Sequence, residues 1–210
     1  MAIKPILFNS EMVRAILDGR KDATRKIVKG FIPDDAVWGY TAFTPKGDIS
    51  CRGTFADGYG EKFFKLPCEP GDILYVRETW KKALNGYYYY EAWQRNDIAD
   101  VTKWKPSIRM PKEAARIWLK VTNVRVERLQ EITDEQAKRE GIQYDECPTG
   151  FTWKQETDMH NCYTTPIGAM QALWNSTIKK SDLDGYGWDA NPWVWTIEFE
   201  RCEKPEEISG

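Results

Sequence analysis

Residues 116–129 read RIWLKVTNVRVERL, the longest strand-like segment of the chain. Through KVTNVRVERL, apolar and charged side chains alternate, the period of two that a half-buried β-strand requires. ITDEQAKREGI (132–142) follows with the punctuation of a short helix. Thr133 is the cap, Gln136 completes a capping box, Ile132 staples onto Ala137, and Gly141 is the stop.

Towards the C-terminus, TPIGAMQALWNSTIKK (165–180) predicts a helix with Thr165 as cap and Pro166 at its first position. Its core face is expected to hold Ile167, Met170, Leu173 or Trp174, and Ile178. NPWVWTIEFERC (191–202) is a closing strand, and residues 203–210 are a polar tail. Residues 145–164 have no clear period and read as a long loop.

Towards the N-terminus, residues 5–8 form a short apolar strand. Ser10 is the expected cap of a helix whose apolar face is Met12, Val13, Ile16 and Leu17, with Gly19 as its stop. Residues 36–55 predict a hairpin turning at 45–48, followed by a Gly-rich loop and a buried strand at 73–76. Asn85-Gly86 opens a further hairpin and a strand of aromatic rings. With no internal repeat or linker, the expectation is one α+β domain over residues 1–202 with a barrel-like sheet and flanking helices.

A chain of 210 residues with 41% hydrophobic and 30% charged residues suits one packed domain rather than a disordered tail. Its 10 Trp, 10 Tyr and 8 Phe suit a β-rich core, and equally a surface on which bases stack. A net charge of -2 argues against wrapping extended duplex DNA, which demands a basic protein. A pocket for one nucleoside needs no such global field. Five cysteines without a CxxC pair fit reduced thiols. The first apolar run is too short for a signal peptide, and no segment approaches about 20 apolar residues, so no membrane partner and a cytoplasmic location are expected.

ILDGRKDATRK (16–26) crowds charge just past the Gly19 stop. From Arg14 to Lys29, six basic side chains stand against Asp18 and Asp22. Lys21 and Thr24 share a side if the chain here stays turn-like and point to opposite faces if it is extended. A Thr hydroxyl needs a neighbouring base to become a nucleophile, and a Lys can serve, with Arg20, Arg25 and Lys26 as nearby cations. The competing reading is a basic turn that complements the helix C-terminus. Glu140, just before the Gly141 stop, sits among unpaired carbonyls, which is unfavourable for a carboxylate by about 0.3–1 kcal/mol. A carboxylate in such a place is sometimes kept for proton transfer, and more often merely tolerated.

Arg77, Glu78 and Trp80 follow the buried strand at 73–76. Arg77 offers a planar fork to an anion or carbonyl and Trp80 a face for stacking; an Arg77–Glu78 structural pair is the alternative. Cys147, His160 and Cys162 are weak metal candidates, lacking a fourth ligand and the short Cys-pair spacing of structural zinc sites.

Four segments together resemble the ASCH domain family, a branch of the PUA-like β-barrel superfamily: MVRAILDGRKDATRK, EPGDILYVRETW, VTNVRVERLQEITDEQAKREGI and NPWVWTIEFERC. They fall in the family's order and span most of the chain. The length, with MPKEAARIWLKV and ALWNSTI, is similar to the subgroup found in bacteriophages and prophages. The resemblance implies a small barrel with a polar cleft that binds RNA or a modified nucleoside, without metal or organic cofactor. A small enzyme of the family is an N4-acetylcytidine amidohydrolase that uses a Lys, a Thr and a Glu; on the GRKxxT motif these fall on Lys21, Thr24 and Glu140. Asp22 stands where the motif commonly has Thr, and a carboxylate beside Lys21 opposes its service as a base.

Two readings follow. As an amidohydrolase, Lys21 takes the Thr24 proton, Thr24 attacks an amide carbonyl, Glu140 serves the leaving amine, and Arg25, Arg77 or backbone amides hold the oxyanion. As a binding module, Trp38, Trp80 or Tyr88 stack on a base while Lys21, Arg25, Arg77 and Glu78 contact its edge or a phosphate. A phage interaction protein with a vestigial cleft is the third possibility.

Overall fold

The computed structural model describes residues 1–94, 103–145, 150–154 and 162–206. In chain order they form β1 (Ile3–Leu7), α1 (Ser10–Leu17), β2 (Ala23–Ile27), β3 (Val37–Gly39), β4 (Asp48–Phe55), β5 (Gly58–Lys65), β6 (Ile73–Arg77), β7 (Trp80–Ala83) and β8 (Gly86–Tyr89). There follow α2 (Tyr90–Gln94), β9 (Trp118–Arg128), α3 (Asp134–Arg139), β10 (Gln143–Asp145), β11 (Gly150–Thr152), α4 (Pro166–Thr177), α5 (Leu183–Tyr186) and β12 (Trp193–Cys202). The class is α+β.

The segment at 116–129 supplies β9, the middle strand of a five-stranded sheet ordered β1-β6-β9-β12-β2. Trp118 and Leu119 are both buried although they point to opposite faces, so this end of the strand requires cover on both sides. β12 pairs along the whole of β9, with one break: the register passes from Glu198↔Asn123 to Phe199↔Val121 and leaves Thr122 as an extra residue. That bulge explains a fault in the sequence alternation. Val121 and Val124 are three apart, and one inserted residue returns both to the same core.

The sheet remains open. β1 pairs in parallel with β6 and β2 antiparallel with β12, and no hydrogen-bonded ladder joins the two edges among the described residues. This corrects the expectation of a closed barrel. The helix α1 connects β1 to β2 along the chain, and its Val13 and Ile16 enter the main core. A second sheet, β3-β4-β5, packs on the first through Ile49, Phe64 and Trp38, which join Leu119, Val121, Trp195 and Ile197 in the main core. A second cluster joins α3 and α4 to the end of β9 and to Val194, and a third gathers Tyr75, Trp80, Met110 and Trp118.

Several local expectations change. Asn9, not Ser10, caps α1, its side chain accepting from the Met12 amide. The Gly-rich loop at 58–65 is strand β5, because Gly58 at φ +112 permits a tight hairpin from Phe55. The run of rings leaves its strand at Tyr90 to begin α2. Inside the supposed loop, β11 pairs antiparallel with β10, which shares only Asp145 with that segment. On α4, Ala169 and Trp174 take the core face with Met170 and Leu173, while Ile167 and Ile178 stay half-buried. The Thr133 capping box forms as expected, with Thr133 and Gln136 bonded reciprocally. Among the described residues no helix is long and apolar enough to cross a membrane.

Candidate functional site

Gly19, at φ +75, ends α1 by reversing the chain, and the amides of Arg20 and Lys21 both donate to the Ala15 carbonyl, at 2.8 and 3.0 Å. Lys21 is thus turned back against the helix before β2 begins at Ala23. There it forms an isolated antiparallel bridge to Glu140, the C-cap of α3. Gly141 allows the approach. Its φ is +102, and a Cβ at that position would stand 2.9 Å from the Ala15 Cβ.

The Lys21 ammonium has three donors, and all three are engaged. Nζ lies 2.7 Å from Glu140 Oε2, 3.0 Å from the Glu140 carbonyl and 2.8 Å from the Ala23 carbonyl. None reaches Thr24. The other Glu140 oxygen accepts from Arg25 Nη1 at 3.0 Å, and Arg25 Nη2 continues to Glu127 Oε1 at 2.6 Å. Glu127 also accepts from Thr196 and Arg125, Arg125 pairs with Glu198, Glu198 with Arg139, and Arg139 with Asp22. Eight charged side chains therefore alternate in sign, from fully sealed Lys21 to half-exposed Asp22. They tie α3 to β2, β9 and β12. Burial pushes the Glu127 carboxyl up, but the Thr196 hydrogen bond and the Arg25 and Arg125 charges outweigh it and hold it below the ordinary Glu value. Glu198 behaves likewise: burial raises it, and its contacts with Arg125 and Arg139 bring it below that value.

A cleft of about 320 Å³ opens beside this chain of charges. Leu7 and Phe8 at the end of β1, Thr24, Arg25 and Lys26 of β2, Met12, Glu140, and Met170, Leu173 and Trp174 of α4 line it. Both edges of the five-stranded sheet thus converge on one hollow. Thr24 is buried, and its hydroxyl has no hydrogen-bond partner among the described residues. In antiparallel pairing, alternate residues bond to the neighbouring strand. The Asp22 carbonyl and Val28 amide face β12, which directs the amide and carbonyl of Arg25 to the open edge. Arg25 Nε is buried and unpaired as well. Beside the Glu140 carboxylate, the cleft wall therefore carries a hydroxyl and a backbone donor–acceptor pair.

The structure brings Thr24, Arg25 and Glu140 to this wall, with Lys21 behind Glu140 and 5.5 Å from the Phe8 ring centre. It corrects the role expected of Asp22, whose carboxylate turns to Arg139 at 2.7 Å rather than to its neighbour Lys21. Arg20 binds the Gly141 carbonyl and Asp18, and lines a separate shallow groove. Arg77, Glu78 and Trp80 are not in the lining of the cleft. Arg77 bonds Tyr75 and the Ile108 carbonyl, and Glu78 is clamped bidentate by Arg116 at 2.8 Å to each oxygen, not by Arg77. Burial raises the Glu78 carboxyl, with Glu91 adding to it and Arg116 opposing. Trp80 is buried in the third cluster under Lys105 and Tyr87, which leaves no face for a base. Trp38 packs edge-on against Phe64, Trp193 and Trp195, and Tyr88 lies outside the cleft lining. Of the metal candidates, Cys147 and His160 lie outside the described residues; Cys162 is a half-buried thiol, and no metal-binding group of side chains occurs among the described residues.

Sequence reading missed Glu127 and Thr196 and gave Trp174 only a place in the core. Glu127 and Thr196 read as ordinary outward positions of alternating strands, and only the pairing of three strands places them beside Arg25. No family model, curated protein or solved structure matches this chain.

Proposed function

We propose that the cleft binds a nucleoside, free or within RNA, and reads its base against the open edge of β2. One observation carries this reading: a Thr24 hydroxyl without a partner among the described residues, the outward donor and acceptor of Arg25, and the Glu140 carboxylate share a hollow of about 320 Å³. A base edge presents adjacent donors and acceptors of this kind, and the volume falls at the small end of ligand pockets. Trp174, Met170 and Phe8 supply the apolar walls that a flat ring requires. The chain is on this reading a long, divergent member of the ASCH family, its two sheet edges approaching as in a PUA-like barrel with the cleft between them.

A catalytic version of this reading needs a base to reach the Thr24 hydroxyl, and Glu140 is the carboxylate on the same cleft wall. Thr24 Oγ attacks the carbonyl of an N-acyl group, and Glu140 accepts its proton on a lone pair not used by Lys21 or Arg25. The same proton passes to the departing amine, leaving an acyl-threonine ester that water hydrolyses with Glu140 again as base. Lys21 then holds Glu140 in place instead of removing the proton itself. The test is to incubate the protein with N4-acetylcytidine and other acylated nucleosides, following released acid and, separately, binding. Thr24→Val removes a hydroxyl without a partner, so folding stability is expected to change by less than about 1 kcal/mol, while turnover is lost. Binding without turnover leaves the recognition reading and removes the catalytic one. Neither binding nor turnover overturns both.

A further inference from the structure

The cleft does not end at Lys26. That residue also lines a second groove of about 300 Å³, shared with Ile27, Val28, Lys29, Phe64, Lys65, Pro67 and Trp195. Three of its lining side chains are lysines and none is acidic. Elsewhere, cations near β2 are neutralised: Lys21, Arg25, Arg125 and Arg139 all take carboxylates. Lys26, Lys29 and Lys65 are exposed and have no ion pair among the described residues. Three like charges around one concavity repel one another, and a bound anion relieves that repulsion. Packing around its stem lowers the Lys26 ammonium pKa, with a smaller opposing effect from Cys68, and a bound anion would raise it.

From this we propose that the Lys26–Lys29–Lys65 groove holds the phosphodiester backbone of a single-stranded nucleic acid whose base occupies the adjoining cleft. The inference rests on the nucleoside reading above and adds to it the path of the strand's backbone. Geometry supports the extension. Thr24 to Lys29 covers on the order of 15 Å of extended chain, longer than a lone nucleoside, and Lys26 borders both hollows. The groove floor is apolar and aromatic, from Val28, Phe64, Pro67 and Trp195, which suits the sugar and base flanks between phosphates better than a hydrated acidic peptide.

The experiment compares cytidine, an oligoribonucleotide and an oligodeoxyribonucleotide of about eight nucleotides, and polyglutamate of matched charge, on wild type and on Lys29→Ala/Lys65→Ala. Both replaced lysines are exposed and outside the cleft. Oligonucleotide affinity is expected to fall roughly tenfold in the double variant, and the slope of log affinity against log salt to flatten by about 0.7 per lysine. Cytidine affinity stays unchanged. A preference of the ribose over the deoxyribose strand identifies RNA as the source, and equal binding identifies single strands of either kind. Unaltered oligonucleotide affinity and slope in the variant, with cytidine still bound, overturns the groove and leaves the cleft. Polyglutamate binding as tightly as the oligonucleotide also overturns it. Lysine-dependent strand binding without any cytidine binding keeps the groove and removes the nucleoside reading.

Discussion

Lys21 Nζ lies 2.7 Å from Glu140 Oε2, with both side chains buried and the residues 119 positions apart in sequence. Glu140 also holds Arg25, so one carboxylate balances two buried cations. Glu140→Ala leaves Lys21 without a carboxylate and Arg25 with Glu127 alone, and is expected to cost about 3–5 kcal/mol. Lys21→Met leaves Glu140 with Arg25 and should cost less. Urea unfolding of the two variants checks the order; a Glu140→Ala midpoint equal to wild type would contradict a central role for this carboxylate.

Asp22 is expected to be dispensable despite its place next to Lys21. Its partner Arg139 is 40% and Asp22 itself 50% exposed, so solvent screens the pair and Asp22→Thr should cost no more than about 1 kcal/mol. Nucleoside binding and any turnover should be unchanged. A large gain in turnover on this substitution would mean that Asp22 restrains Lys21 after all.

Gly141→Ala should be among the most damaging small changes. The site combines φ +102 with a Cβ position 2.9 Å from Ala15, whose backbone belongs to α1. Left-handed strain alone costs about 1–2 kcal/mol, and relieving the clash must move the end of α3, carrying Glu140 off Lys21. Thermal denaturation measures the first effect, and loss of nucleoside binding out of proportion to stability measures the second.

Acid should destabilise the fold through Glu127 and Glu198. Both carboxyls are held below the ordinary Glu value in the folded chain. In the unfolded chain they take up protons near about pH 4.3. Between that pH and the lower folded values the unfolded state binds more protons, so stability falls as pH falls. Glu127→Gln should flatten this limb while lowering stability at neutral pH, as read from urea midpoints across pH 3–7. An unchanged acid slope in that variant would contradict the assignment.

Local signals in the chain were enough to set most elements. The period of two in KVTNVRVERL, the Thr133 capping box, Pro166 after Thr165 and the glycine stops at Gly19 and Gly141 depend on neighbours within a few residues, and each has its counterpart in the structure. The same short-range chemistry drew attention to Lys21, Thr24 and Glu140. It could not tell a partner from a neighbour. Asp22 adjoins Lys21 in sequence but bonds Arg139, and Glu78 adjoins Arg77 but is clamped by Arg116. Charge pairing inside a protein follows distance through space in a poorly screening medium. Only the packing of α3 against β2, and of β9 against β12, decided which carboxylate met which cation. The openness of the sheet was likewise beyond local reading, because whether two edge strands pair is decided by tertiary packing and not by neighbours in sequence.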